Sequence, residues 1–121
     1  MNAFNKFLRS FSYATKGIIS LLKTERNARI HCAAIILVTI AGFYFRISQV
    51  EWISIILCFG MVLAAEAFNT AIEKLVNLVS PEKNPYAGNI KDLAAGGVLI
   101  CAIAAAIIGL MIFGPYFYQI F

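Results

Sequence analysis

Acidic residues are scarce in this sequence: six Asp and Glu stand against ten Lys and Arg in a chain of 121 residues. Charge of either sign is thin at 13%, while hydrophobic residues reach 61% and mean hydropathy is +0.82. A soluble domain is about half apolar and about a quarter charged. The apolar excess lies in runs, so the chain reads as one membrane-embedded domain. The three cysteines, Cys32, Cys58 and Cys101, lie far apart in apolar runs, and no CxxC occurs. That excludes a disulfide framework and a cysteine metal site. The first residues lack the apolar core of a signal peptide, because Lys6, Arg9, Lys16 and Lys23 interrupt them. Internal repeats and low-complexity tracts are absent. No basic face is left for a soluble surface, which excludes nucleic acid as a partner.

What is present is helical pattern. In residues 1–24, Phe4, Phe7, Leu8, Phe11, Ile18, Ile19 and Leu22 recur at spacings of three and four among the four basic residues. This predicts an amphipathic helix lying in the headgroup region. Three membrane helices follow, at about 28–46, 52–79 and 91–118. Arg46 to Glu51 forms a tight loop, and Trp52 opens the second span at a depth where Trp is favoured. Ser80-Pro81 ends that helix, Glu82–Asn89 is a loop, and Lys91-Asp92 opens the third helix. Leu93 to Phe113 runs 21 residues without a charge. Gly114-Pro115 is expected to loosen its end. Nine of the ten basic residues lie on one side, Arg46 being the exception. The positive-inside rule puts that side, with the N-terminus, in the cytoplasm.

The second helix carries the chemistry. Glu66, Asn69 and Glu73 fall within about 60° of arc and form one stripe. Glu66 lies roughly 20 Å along the axis from Trp52, inside the hydrocarbon layer, where a charge costs about 2.5–3.5 kcal/mol. The stripe must therefore face protein or a wet cavity. As helix glue it would need basic partners, and the spans offer only Arg29, His31 and Lys91. As a pore lining or an assembly contact it would need no nucleotide. As a phosphotransfer site it supplies a deep carboxylate, Glu66, to take a proton from a hydroxyl. It also supplies Glu73, about 10 Å nearer the cytoplasm, for a metal-bound nucleotide. Glu25 is a second acid at that level. Lys91, at the expected start of the third helix, would add a cation to an anion-favouring helix end. Asp92 either caps that helix or binds through water. The sequence has neither GxxxxGK[ST] nor GxGxxG, so it is not a P-loop or protein-kinase-like enzyme. Gly96 and Gly97 permit close helix packing.

Glu66-Ala-Phe-Asn69-Thr-Ala-Ile-Glu73, followed about 15 residues on by Ile90-Lys91-Asp92-Leu-Ala-Ala-Gly96, resembles the signatures of the small bacterial diacylglycerol kinase family, which includes the undecaprenol kinases. Glu25-x-x-x-Arg29 and Tyr13-x-x-Lys16-Gly17 align as well, and the resemblance covers nearly the whole chain. It implies an all-α fold of a surface helix and three membrane helices, assembled as a homotrimer with active sites between subunits. It also implies phosphorylation of a membrane lipid alcohol, diacylglycerol or undecaprenol, by Mg·ATP at the bacterial cytoplasmic membrane. By position, Glu66 resembles the catalytic base, and Glu25 and Glu73 the magnesium ligands. Lys6, Tyr13, Glu25, Glu73, Glu82, Lys91 and Asp92 resemble the ATP contacts, and Asn69 a positioning residue. Lys6 stands where some members have arginine, which keeps the charge but loses bidentate phosphate binding. Lys83-Asn84 departs from a Tyr-His pair in the same stretch. Pro81-Glu82 and Ala94-Ala95-Gly96-Gly97 lean toward the undecaprenol kinase branch.

Overall fold

The computed structural model describes residues 1–121 as four helices: α1 Ala3–Thr24, α2 Arg26–Phe45, α3 Gln49–Val79 and α4 Pro85–Ile120. Three of them, α2, α3 and α4, are long and apolar enough to cross a membrane. α3, with 31 residues, is about 46 Å long, and α4, with 36, about 54 Å. Both exceed the roughly 30 Å hydrocarbon layer, so each extends beyond it. The chain buries only 11 of its 121 residues and leaves large apolar side chains exposed along every helix. A water-soluble monomer does not carry such surface; lipid or further protein must cover it.

α1 begins where Asn2 accepts a hydrogen bond from the Asn5 N–H at 2.8 Å, filling one of the free donors of the first turn. A single extended residue, Glu25, turns the chain into α2. Arg29 reaches back across this elbow. One guanidinium nitrogen donates to the Leu22 carbonyl at 3.0 Å and to the Lys23 carbonyl at 2.9 Å. These carbonyls belong to the last turn of α1 and have no partner within the helix.

At the opposite end, Arg46 adopts left-handed backbone (φ 52°) and closes α2. The Ile47 N–H returns to the Gly42 carbonyl at 3.1 Å. Two residues later Ser48 and Glu51 form a reciprocal cap: the Ser48 hydroxyl accepts from the Glu51 N–H, and the Glu51 carboxylate accepts from the Ser48 N–H. That capping box starts α3 at Gln49, three residues ahead of the expected Trp52. Trp52 lies against Gly42, where a Cβ would stand 2.6 Å from its ring. Only glycine permits that approach.

α3 ends at Val79 with Ser80 as its cap, as Ser80-Pro81 predicts. The beginning of α4 corrects the sequence reading. It starts at Pro85, six residues before the expected Lys91, because Asn84 accepts from the Tyr86 N–H at 2.8 Å and proline fills the first helical position. Residues 85–89 are therefore helix where a loop was expected. Gly114-Pro115 does not loosen α4 either: the helix continues across Pro115 to Ile120. A proline in a membrane helix is tolerated where neighbouring groups take up the freed carbonyl.

The best-packed region is the end carrying Arg46. Ile47, Ile55, Ile112 and Phe113 form its buried core. Phe45 stacks on Tyr116 with ring centroids 5.5 Å apart and meets Phe113 and Phe117 edge-on or tilted. The Tyr116 hydroxyl donates to Glu51 at 2.7 Å, tying α4 to the cap of α3. Next to this packed end, α2, α3 and α4 line a cavity of about 320 Å³ that reaches from Ile55 to Val62 on α3. The stripe lies beyond it, toward the end where α1 and the 80–84 loop lie.

Candidate functional site

Glu66 is held in the middle of α3 by continuous helix and is 2% exposed. Its carboxylate Oε1 lies 3.3 Å from Nε2 of His31 on α2, whose side chain is 24% exposed. His31 also lines the 320 Å³ cavity, whose other walls include Ala34, Val38, Phe59, Ala105 and Gly109. A carboxylate buried in a membrane helix thus has one imidazole as its ion-pair partner, and that imidazole borders the apolar space.

One turn further, the Asn69 amide donates to Glu73 Oε1 at 3.4 Å. Both side chains are half-buried. The Asn69 carbonyl oxygen and the Thr70 hydroxyl are buried without a hydrogen-bond partner, and Thr70 is 6% exposed. An unsatisfied buried polar group costs about 1–3 kcal/mol. Two of them beside a carboxylate mark a place where polar partners from outside the chain belong. Thr70 also opens on a cavity of about 340 Å³ between α1 and α3, with Gly17, Leu21, Ala71 and Lys74.

A third space, about 440 Å³, lies between the end of α3 and the start of α4. Asn77, Glu82, Asn84, Gly88 and Lys91 line it, and all but one of its ten residues are polar, glycine or proline. This brings Glu82 and Lys91 to one space. Lys91 is seven residues inside α4, however, so the helix-terminus argument for it fails, and Asp92 does not cap the helix. Asn84 does. Asp92 is exposed and lies outside the lining of this space.

Glu25 stands half-buried at the α1–α2 elbow with no hydrogen bond or ion pair from its side chain. Lys6 and Tyr13 are exposed on α1, and Lys16 Nζ sits 5.8 Å from the Tyr13 ring. No three His, Cys, Asp or Glu side chains converge as a metal site. Within one chain, the donors suited to Mg²⁺ are the Glu73 carboxylate and the orphaned Asn69 oxygen beside it. Mg²⁺ prefers oxygen and commonly takes only one or two carboxylates, with water and phosphate filling the rest. This donor set fits that use and would not form a closed protein cage.

The residues that sequence reasoning did not assign are His31, which it named only as a base near the first span, and Thr70. Thr70 was legible: it lies about 40° from Glu66 around the helix. The pairing of His31 with Glu66 depends on how α2 is rotated against α3, which periodicity within one helix does not give.

Comparison with known proteins gives the family. The chain is 43% identical over 114 residues to the undecaprenol kinase of Bacillus subtilis, covering 94% of this chain and 93% of that one. It is 37% identical over 103 residues to a diacylglycerol kinase of Synechocystis, covering 84% of this chain and 59% of the relative. It is 25% identical over 104 residues to the diacylglycerol kinase of Escherichia coli K12, covering 86% and 85%. The family model for prokaryotic diacylglycerol kinase matches residues 12–113. The chain belongs to the prokaryotic diacylglycerol kinase family.

Proposed function

We propose that this lipid kinase transfers the γ-phosphate of ATP to a membrane lipid alcohol, with undecaprenol favoured over diacylglycerol. The observation that carries the reading is the buried Glu66 carboxylate, on one stripe with the Asn69–Glu73 pair. Undecaprenol is favoured because the 43% identity to the undecaprenol kinase extends over nearly both chains.

In this reading Glu66 accepts the hydroxyl proton of the lipid alcohol as its oxygen attacks the γ-phosphorus and the bond to ADP breaks. Burial keeps water from competing with the lipid hydroxyl. Asn69 holds Glu73 in place through the 3.4 Å contact. Glu73, with the Asn69 oxygen beside it, and Glu25 would hold a magnesium ion, which when bound would supply positive charge to offset the phosphates. Glu82 and Lys91 contact the nucleotide from the polar cavity, with Lys6, Tyr13 and Asp92 completing its surroundings. Lys91 contributes its own charge in this role, without help from a helix terminus.

The protein works as a homotrimer. The exposed apolar faces of its helices require covering, and a neighbouring subunit would enclose the stripe more completely than one chain does. α1 lies along the membrane surface, its apolar residues in the bilayer and its basic ones at the headgroups. Nine of ten basic residues at that end put it, with the N-terminus, in the cytoplasm of a bacterial cell, in the inner membrane.

The test is transfer from labelled Mg·ATP by the detergent-solubilised protein, offered both lipids side by side. The expected result is a phosphorylated lipid, formed faster from undecaprenol, and its loss in a folded Glu66→Gln variant. Normal turnover by that variant would sink the assignment of the base. Ion flux in vesicles with no nucleotide binding would replace the kinase with a pore.

A further inference from the structure

The Glu66 carboxylate has one ion-pair or hydrogen-bond partner. Asn69 is committed to Glu73, and Arg29, two residues before His31, is committed to the Leu22 and Lys23 carbonyls across the elbow. That leaves His31 Nε2, 3.3 Å from Glu66 Oε1, as the one ion-pair or hydrogen-bond partner of this carboxylate. The same imidazole lines the apolar cavity between α2, α3 and α4. His31 is also the one histidine in the sequence.

From this geometry we infer that His31 is a positioning residue for the lipid-phosphorylation step, an inference that rests on reading Glu66 as the base. A glutamate side chain has three rotatable bonds, and nothing on α3 fixes its carboxylate. The His31 contact to Oε1 fixes it from α2. Oε2 is then the oxygen left free to accept the hydroxyl proton. A general base must reach that proton within about 2.6–3.2 Å, and a displacement of about 1 Å can cost about a hundredfold in rate. In this role His31 need not touch the reacting phosphate or the nucleotide. It acts through Glu66, so its removal should lower turnover and leave binding alone.

The role can be separated from simple structural support. Apparent kcat and KM for the lipid alcohol and for Mg·ATP would be measured on the folded trimer-sized fraction of wild type, Glu66→Gln, His31→Leu, His31→Gln and His31→Asn. His31→Leu should lower kcat about a hundredfold, with both KM values within about twofold of wild type. His31→Gln has an amide long enough to reach Oε1, and should recover kcat to within about tenfold of wild type. The shorter His31→Asn should stay about tenfold or more below His31→Gln. A group that only held α2 against α3 would lower the yield of folded protein and leave kcat per folded molecule unchanged.

Wild-type kcat in folded His31→Leu, with Glu66→Gln inactive, overturns the positioning role and leaves the base in place. Should His31→Leu fail to fold, equal kcat in His31→Gln and His31→Asn overturns it. Activity in Glu66→Gln overturns the base and this role together.

Discussion

Gly42 and Gly60 are both helical glycines, and the structure assigns opposite consequences to the same substitution. A Cβ on Gly42 would meet Trp52 Cη2 at 2.6 Å, Trp52 Cζ2 at 2.8 Å and Ile47 Cδ1 at 3.2 Å. The first two are shorter than any ordinary carbon contact, and the indole is pinned: its ring lies 4.9 Å from Phe43, and it packs on the Ile47–Ile55–Phe113 core. Relief would have to come from moving α2 away from α3. Overpacking of this kind costs about 1–3 kcal/mol, which exceeds the helix-propensity gain of Gly→Ala of about 0.5–1 kcal/mol. A Cβ on Gly60 meets nothing within 4 Å, so Gly60→Ala keeps only the gain. Gly42→Ala should be net destabilised by up to about 2 kcal/mol and Gly60→Ala stabilised by up to about 1 kcal/mol. Unfolding in mixed micelles of rising SDS fraction, followed by Trp52 fluorescence, measures both. Because Gly42 lies at the far end from Glu66, kcat per folded molecule should stay near wild type. Gly42→Ala as stable as Gly60→Ala would refute the packing at this turn.

Glu73→Gln should raise the apparent KM for Mg·ATP about tenfold or more with little change in the lipid KM, since the carboxylate offers a metal donor; titrating Mg²⁺ at fixed ATP checks it. Thr70→Val should leave stability unchanged or higher, because it removes a buried hydroxyl with no partner in the chain, yet lower turnover if that hydroxyl serves a substrate; thermal unfolding and the transfer assay, run in parallel, separate the two effects. Arg29→Ala leaves the Leu22 and Lys23 carbonyls of α1 without their caps, so amide exchange near the elbow should speed up by about tenfold. Unchanged exchange there would remove Arg29 from its capping role.

The three spans were legible because long apolar runs admit one reading. The stripe was legible because 3.6-residue periodicity puts Glu66, Asn69 and Glu73 on one side whatever surrounds them. Helix starts were read less well, although their signals were in the sequence. Ser48-Gln-Val-Glu51 is a capping box, and Asn84-Pro85 is a cap followed by a first-turn proline. Both lie in stretches whose charge and proline also mark loops, so the cap competes with a loop signal. Pro115 shows the reverse error: a residue that ends helices in water does not end this one. His31 and Glu66 meet by the rotation of α2 against α3, and the cavity beside them arises from the spacing of three helices. Neither quantity is encoded in any single segment.

The single extended residue between α1 and α2 has a mechanical consequence. Lys6 stands 19 residues from Glu25 along a straight helix, about 28 Å away. α1 is then a lever with its fulcrum at a proposed metal ligand. A change of about 10° at that fulcrum swings Lys6 through about 5 Å, enough to engage or release a phosphate. Arg29 grips the end of α1 nearest that fulcrum. A load on the lever's far tip, such as a bilayer of different thickness or headgroup charge, would be felt as torque at Glu25.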